Sequence, residues 1–202
     1  MEALGVLLKS YLLSIGRYMN YSIFKLSVLS IFVFFIGHVS AEAPNVPTKA
    51  PYIVLGDNLD EPNGYGFCID TEGAGESELL HSHSCKPVRP DADPNDPRGN
   101  DTRFAYDPAT KQISAYAFGG CMQVLTSVSS SVFALLDCSD HPHQKFIYNE
   151  SDKTFRLDAD QSKCVATESE TLPAGAWVKR MLTLADCSEV EAESKQWLVV
   201  SA

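Results

Sequence analysis

Hydrophobic positions fall into two regimes along the chain. Leu26 to Gly37 (LSVLSIFVFFIG) forms one short apolar run, with Lys25 just before it and Arg17 and Lys9 further upstream. Val39-Ser40-Ala41 then places small residues where signal peptidase reads them. This tripartite layout predicts a secretory signal over residues 1–41, cleaved after Ala41. A spanning helix needs ~20 apolar residues, so a leader is the better reading than an anchor. A start at Met19 leaves a leader of ordinary length. Residues 42–51, with APNVPTKA over Ala43 to Ala50, lack periodicity and predict an extended linker.

From Tyr52 onward the pattern is of short strands and carries no long helical period. QISAYAF, FALLDC, KFIYNE and FRLDAD mix apolar or aromatic residues with polar ones. Turn residues bound them at Gly64-Tyr-Gly, Asp107-Pro, Gly119-Gly and Asn149-Glu-Ser-Asp. The expected fold class is all-β.

Six cysteines, all beyond the leader, suit an oxidising compartment in which disulfides persist. Spacing alone does not choose among their pairings, but their contexts alternate. Cys68, Cys121 and Cys164 follow turn-like residues and precede an apolar one (GFCID, GGCMQ, SKCVA). Cys85, Cys138 and Cys187 close segments with leucines before a polar end (ELLHSHSC, FALLDC, LTLADC). An aromatic anchor follows each second cysteine: Phe104, Phe146, Trp197. Three rounds of one series are an internal repeat, and short strands repeated threefold favour closure, which removes exposed edges. The pattern predicts a three-lobed barrel with the anchors in a shared centre and one disulfide per lobe: Cys68–Cys85, Cys121–Cys138 and Cys164–Cys187. His81-x-His83-x-Cys85 offers a rival metal-ligand set. Only one lobe has the histidines, whereas every lobe has the cysteine pair, so no metal is expected.

These residues resemble the ricin B-type β-trefoil lectins over about Tyr52 to Ala202. Carrying the resemblance are the repeated cysteine pairs, Asp70 two residues after Cys68, and Gln144-Lys145-Phe146 in the place of the family's Gln-x-Trp. Lys195-Gln196-Trp197 keeps the Trp, and Thr102-Arg103-Phe104 only an aromatic. The resemblance implies a β-trefoil and a non-catalytic sugar-binding role. In the family a carboxylate accepts hydrogen bonds from vicinal hydroxyls, an aromatic stacks on the apolar sugar face, and an Asn or Asp beside the Gln completes the contacts. In the first lobe those positions fall on Asp70, His83 and Asp101. Gln123 and Leu136 replace the first two in the second lobe, and Ala166 and Ala185 in the third. Only the first lobe then keeps a sugar site. Asp70 has the alternative of bonding its own turn, and His83 that of an ordinary surface histidine. The phenylalanines and Trp197 are expected in the core, and Gln144 on buried backbone groups.

Charge and remaining motifs narrow the classes. The chain carries 26 acidic and 16 basic side chains, net −10, and loss of residues 1–41 leaves 25 and 13. That balance argues against a nucleic-acid partner, since phosphate contacts need clustered Lys and Arg. Asp91-Ala-Asp93-Pro-Asn95-Asp96 starts like a calcium loop, but Asp96 stands where Gly is required and Thr102 where Glu is required. Pro87 to Gly99 reads better as an acidic surface insertion. Asn100-Asp-Thr102 and Asn149-Glu-Ser151 match the glycosylation acceptor pattern. No G-x-S-x-G, H-E-x-x-H or phosphate loop is present, so no catalysis and no cofactor are expected. The expected partner is a carbohydrate or glycoconjugate, met outside the cell by a protein free of the membrane once its signal is cleaved. The alternative is a trefoil scaffold that has lost sugar binding and contacts another protein.

Overall fold

Alternating burial along short segments produces thirteen strands among the described residues: β1 (Tyr52–Leu55), β2 (Phe67–Thr71), β3 (Leu79–Ser84), β4 (Phe104–Asp107), β5 (Gln112–Ala115), β6 (Cys121–Thr126), β7 (Ser131–Leu136), β8 (Phe146–Asn149), β9 (Thr154–Leu157), β10 (Asp160–Thr167), β11 (Leu172–Ala174), β12 (Trp177–Asp186) and β13 (Trp197–Val200). No α-helix occurs among them, and the fold is all-β. The computed structural model describes residues 42–75, 79–87, 99–126 and 131–202. The predicted leader, the Asp91–Asp96 sequence and most of the 87–99 insertion lie outside these residues.

One set of antiparallel pairs, β4–β5, β8–β9 and β13–β1, carries the aromatic anchors. Phe104 pairs with Ala115, Phe146 with Leu157 and Trp197 with Leu55. The residue before each anchor offers its carbonyl to the residue after the partner strand: Arg103 O to Tyr116 N at 2.8 Å, Lys145 O to Asp158 N at 2.9 Å, Gln196 O to Gly56 N at 2.8 Å. The same bond therefore recurs in all three places. Phe104, Phe146 and Trp197 are fully buried in one core with Phe67, Phe133 and Phe155. Burial of each such side chain stabilises by about 1.5–3 kcal/mol, and the anchors meet in a common centre as their spacing predicts.

A second set, β2–β3, β6–β7 and β10–β12, carries the cysteines. Cys68–Cys85, Cys121–Cys138 and Cys164–Cys187 are joined, one bridge within each hairpin, as the alternation of contexts predicts. With its sulfur in a disulfide, Cys85 is withdrawn from the rival metal-ligand set. In every hairpin the first cysteine faces the residue two before the second, namely His83, Leu136 and Ala185. Strand β3 also pairs with β7 and β12, in the latter case with Lys179 opposite His83 and Met181 opposite His81. That second pairing sets the β11–β12 hairpin beside the first cysteine hairpin.

Residues 42–51 contain no strand until β1 approaches, yet they lie against the domain. Asn45 N donates to Gly64 O at 2.7 Å, and Thr48 Oγ1 donates to Lys86 O at 2.9 Å. Gly66 permits this approach: its φ is +76°, and a Cβ there would come within 2.5 Å of Pro44 Cβ.

Candidate functional site

Side chains two apart on a strand share a face, so Cys68 and Asp70 on β2 point the same way. Across the ladder His83 faces Cys68 and His81 faces Asp70. The register thus sets Asp70 against both imidazoles, with its Oδ2 3.6 Å from His83 Nδ1 and 3.9 Å from His81 Nε2. Lys86 directly follows the disulfide-bound Cys85, and its Nζ lies 2.9 Å from Asp70 Oδ2 and 2.5 Å from Asp101 Oδ2. Asp70, His83 and Asp101, far apart in sequence, are therefore brought together. Asp70 is 0% exposed and Asp101 1%. They form a buried floor rather than an open rim.

Two carboxylates sharing one ammonium shape the electrostatics. Burial pushes the Asp70 carboxyl up, but the His81 ring and the charges of Lys86 and His83 outweigh it and hold it below the usual range. Asp101 goes the other way, to about 6, because burial and the Asp70 charge exceed the help of Lys86. Burial lowers Lys86, yet the two carboxylates raise it above its ordinary value. Burial also takes His83 down to about 4 against the pull of Asp70, leaving the ring neutral near pH 7. His83 Nδ1 is 2.9 Å from Ser84 O, a carbonyl that can only accept, which assigns the ring proton to Nδ1.

Above this floor opens a cavity of about 470 Å³. Asp70, His81, His83, Lys86 and Asp101 line it on one side, and Pro173, Ala174 and Trp177 of the β11–β12 hairpin on the other. A Lys179–Glu72 ion pair of 2.7 Å borders it. Among the described residues, both carboxyl oxygens of Asp70, Asp101 Oδ1 and both ring nitrogens of His81 are buried without a hydrogen-bond partner, although the Lys86 ammonium stands 2.9 Å from Asp70 Oδ2. Unmatched buried polar atoms are costly, and these belong to residues that line the cavity.

The positions two residues after the first cysteine of the other two hairpins, Gln123 and Ala166, carry no carboxylate. Gln123 sits where Asp70 does, and Gln123 Oε1 accepts from Gln144 Nε2 at 3.1 Å. Gln144 Nε2 also donates to Asp137 O at 2.9 Å, and its Oε1 accepts from Ser139 N at 2.8 Å. This is the backbone-satisfying role expected of Gln144. In the third unit Ala166 is buried opposite Thr183. Sequence reasoning missed Lys86 and Trp177. The adjacency of Lys86 to Cys85 was a signal for the former, whereas Trp177 enters through inter-unit pairing that no local pattern discloses. Of the two glycosylation patterns, Asn100 is buried and accepts from Arg103 Nη1 at 3.0 Å, while Asn149 sits at a turn.

No protein-family model matches the chain, and no curated protein matches it in sequence. Solved structures are similar to it in shape. The solution structure of the mdaA-1 domain matches with a TM-score of 0.51 at 14% identity, over 80% of this chain and 93% of that one. Cytolethal distending toxin from Actinobacillus actinomycetemcomitans matches at 0.50 and 14%, over 74% and 89%. The C-half of an earthworm R-type lectin, solved with GalNAc, matches at 0.49 and 12%, over 76% and 100%. The chain spans only 20% of the length of GalNAc-T7, another match. At such identities the likeness is one of fold alone.

Proposed function

We propose that the chain beyond residue 41 is a secreted, non-catalytic carbohydrate-binding β-trefoil with one sugar site, in its first unit, built on Asp70, His83 and Asp101. The observation that carries this reading is the convergence of those three residues on one cavity of about 470 Å³. The thrice-recurring anchor bond and the three equivalent disulfide hairpins support the threefold arrangement. Sugar hydroxyls donate to Asp70 Oδ1 and Asp101 Oδ1, where an ionised acceptor strengthens the bond. Lys86 holds Asp101 by donating to its Oδ2 and stands as an ion-pair partner 2.9 Å from Asp70 Oδ2. A single small site of this kind binds on the order of millimolar, about −4 kcal/mol, so tight attachment to a glycan surface requires several copies. The test is a dense glycan array read with wild type and Asp70→Asn. Binding by wild type and its loss in the variant supports the reading. No binding by wild type at any density overturns it.

A second reading has its own observation. Asp70 and Asp101 are wholly buried and already joined by Lys86, so the cluster also suits a scaffold whose carboxylates serve the fold while its loops contact another protein. In that case Asp70→Asn lowers stability, the wild type ignores every glycan, and a protein partner is recovered by pull-down from the native surroundings.

A further inference from the structure

We propose that Trp177, carried by the third unit, is the aromatic platform of the first unit's cavity, which therefore takes an uncharged pyranose gripped between two units. The inference rests on the reading of this cavity as a sugar site, and it adds the residue that stacks and the charge class that fits.

His83 occupies the position from which the fold would stack a sugar, but its ring is already used. It lies 5.5 Å from the His81 ring at an interplanar angle of 23°, and it is 6% exposed. With one face covered and an edge tied to Ser84 O, it has no free plane to offer. Trp177 does. Its hairpin turns on Gly175, whose φ of +68° suits a two-residue loop, and Ala174 pairs with Trp177 across it. The β3–β12 ladder, with Lys179 opposite His83, then carries Trp177 to the cavity's edge two residues beyond that pair. Tyr65 of the first unit braces the indole, with centroids 6.1 Å apart at 45°. Pro173 and Ala174 extend the same apolar wall.

The cavity is thus two-sided. Its wall is apolar, as the C–H face of a pyranose requires. Its floor is lined by Asp70 and Asp101, a pair of carboxylates served by the single ammonium of Lys86, and their Oδ1 atoms are buried acceptors without a hydrogen-bond donor. At the border Lys179 is engaged by Glu72 and adds no free positive charge. A ligand entering here must bring hydrogen-bond donors, and an acidic sugar would set its carboxylate against two others.

The chain has two tryptophans, and Trp197 is fully buried, so a change in tryptophan emission on titration reports Trp177. The probes are methyl galactoside, methyl N-acetylgalactosaminide, methyl glucoside and galacturonate. Affinities come from ligand-observed NMR for wild type, Trp177→Ala, Trp177→Phe and Asp70→Asn, and near-ultraviolet circular dichroism checks that each variant is folded. Trp177→Ala is expected to weaken binding of the neutral sugars about ten-fold, while Trp177→Phe retains most of it, since the smaller ring keeps a stacking face. Galacturonate is expected to bind wild type more weakly than methyl galactoside. If Asp70→Asn loses binding while Trp177→Ala keeps wild-type affinity, the platform is not Trp177, and the sugar site itself stands. If galacturonate binds as well as the galactoside, the charge assignment fails. If wild type binds none of the four, both this inference and the function beneath it are overturned.

Discussion

Lys86 Nζ lies 2.5 Å from Asp101 Oδ2 although Asp101 is almost wholly removed from solvent. The same ammonium reaches Asp70, so one cation stands between two buried anions. Removing one member of a buried charged group costs far more than the group gives when complete, because the remaining charges stay desolvated and unmatched. Lys86→Met is therefore expected to destabilise the fold by about 3–5 kcal/mol near pH 7. The loss should shrink at lower pH, where one carboxyl takes up a proton. Adding Asp101→Asn to Lys86→Met removes one of the stranded charges and should restore part of the stability. Urea unfolding of the single and double variants measures this, and equal stability of Lys86→Met and wild type would show the pairing to be immaterial.

The cluster predicts two opposed pH dependences. Asp101 holds its proton to about pH 6 when folded and to about 3.9 when unfolded. Between those values the folded chain binds more protons, so this carboxyl makes stability fall as pH rises. His83 has its folded value at about 4 against about 6.5 unfolded. There the unfolded chain binds more protons, and stability rises with pH. The two slopes offset one another in wild type across much of this window. Asp101→Asn should expose the rising slope, and His83→Gln the falling one. Urea midpoints of the three proteins at several pH values across the window check the signs, and parallel profiles for all three would contradict the assignment.

Much of this arrangement was legible in the chain, and the rest was not, for physical reasons. The cysteine pairs and anchors are local signals: each repeats with the same neighbours, and each occupies the place its context predicts. Asp70, His83 and Asp101 follow from position within the repeat, and they line one cavity. What the sequence did not convey is the burial of that cluster. Lys86 supplies the charge that lets two carboxylates sit in the interior, and one lysine beside a cysteine looks like any solvated side chain. Trp177 was equally hidden, since its role depends on the β3–β12 ladder joining residues about a hundred positions apart. Residues 42–51 look like a spacer because their hydrogen bonds leave no periodic trace.

The three anchors are equivalent in backbone but not in side chain, which makes them separately testable. Phe104 and Phe146 fill their places with hydrocarbon alone, whereas Trp197 Nε1 donates to Val165 O at 2.9 Å inside the core. Trp197→Phe removes that donor and leaves both an unmatched buried carbonyl and a gap where the larger ring was. Each carries a cost of about 1–3 kcal/mol. The reverse exchange, Phe146→Trp, brings an N–H to a place where the surrounding core is packed for the smaller ring, and overpacking costs about 1–3 kcal/mol. Combining the two substitutions moves the single large anchor to another unit without altering the overall composition of the core. The pair should then be no more stable than the less stable single variant, because each cavity is shaped by its own neighbours and neither relieves the other. Thermal unfolding of the three proteins decides it. A double variant restored to wild-type stability would mean that the three anchor pockets exchange volume freely through the common centre.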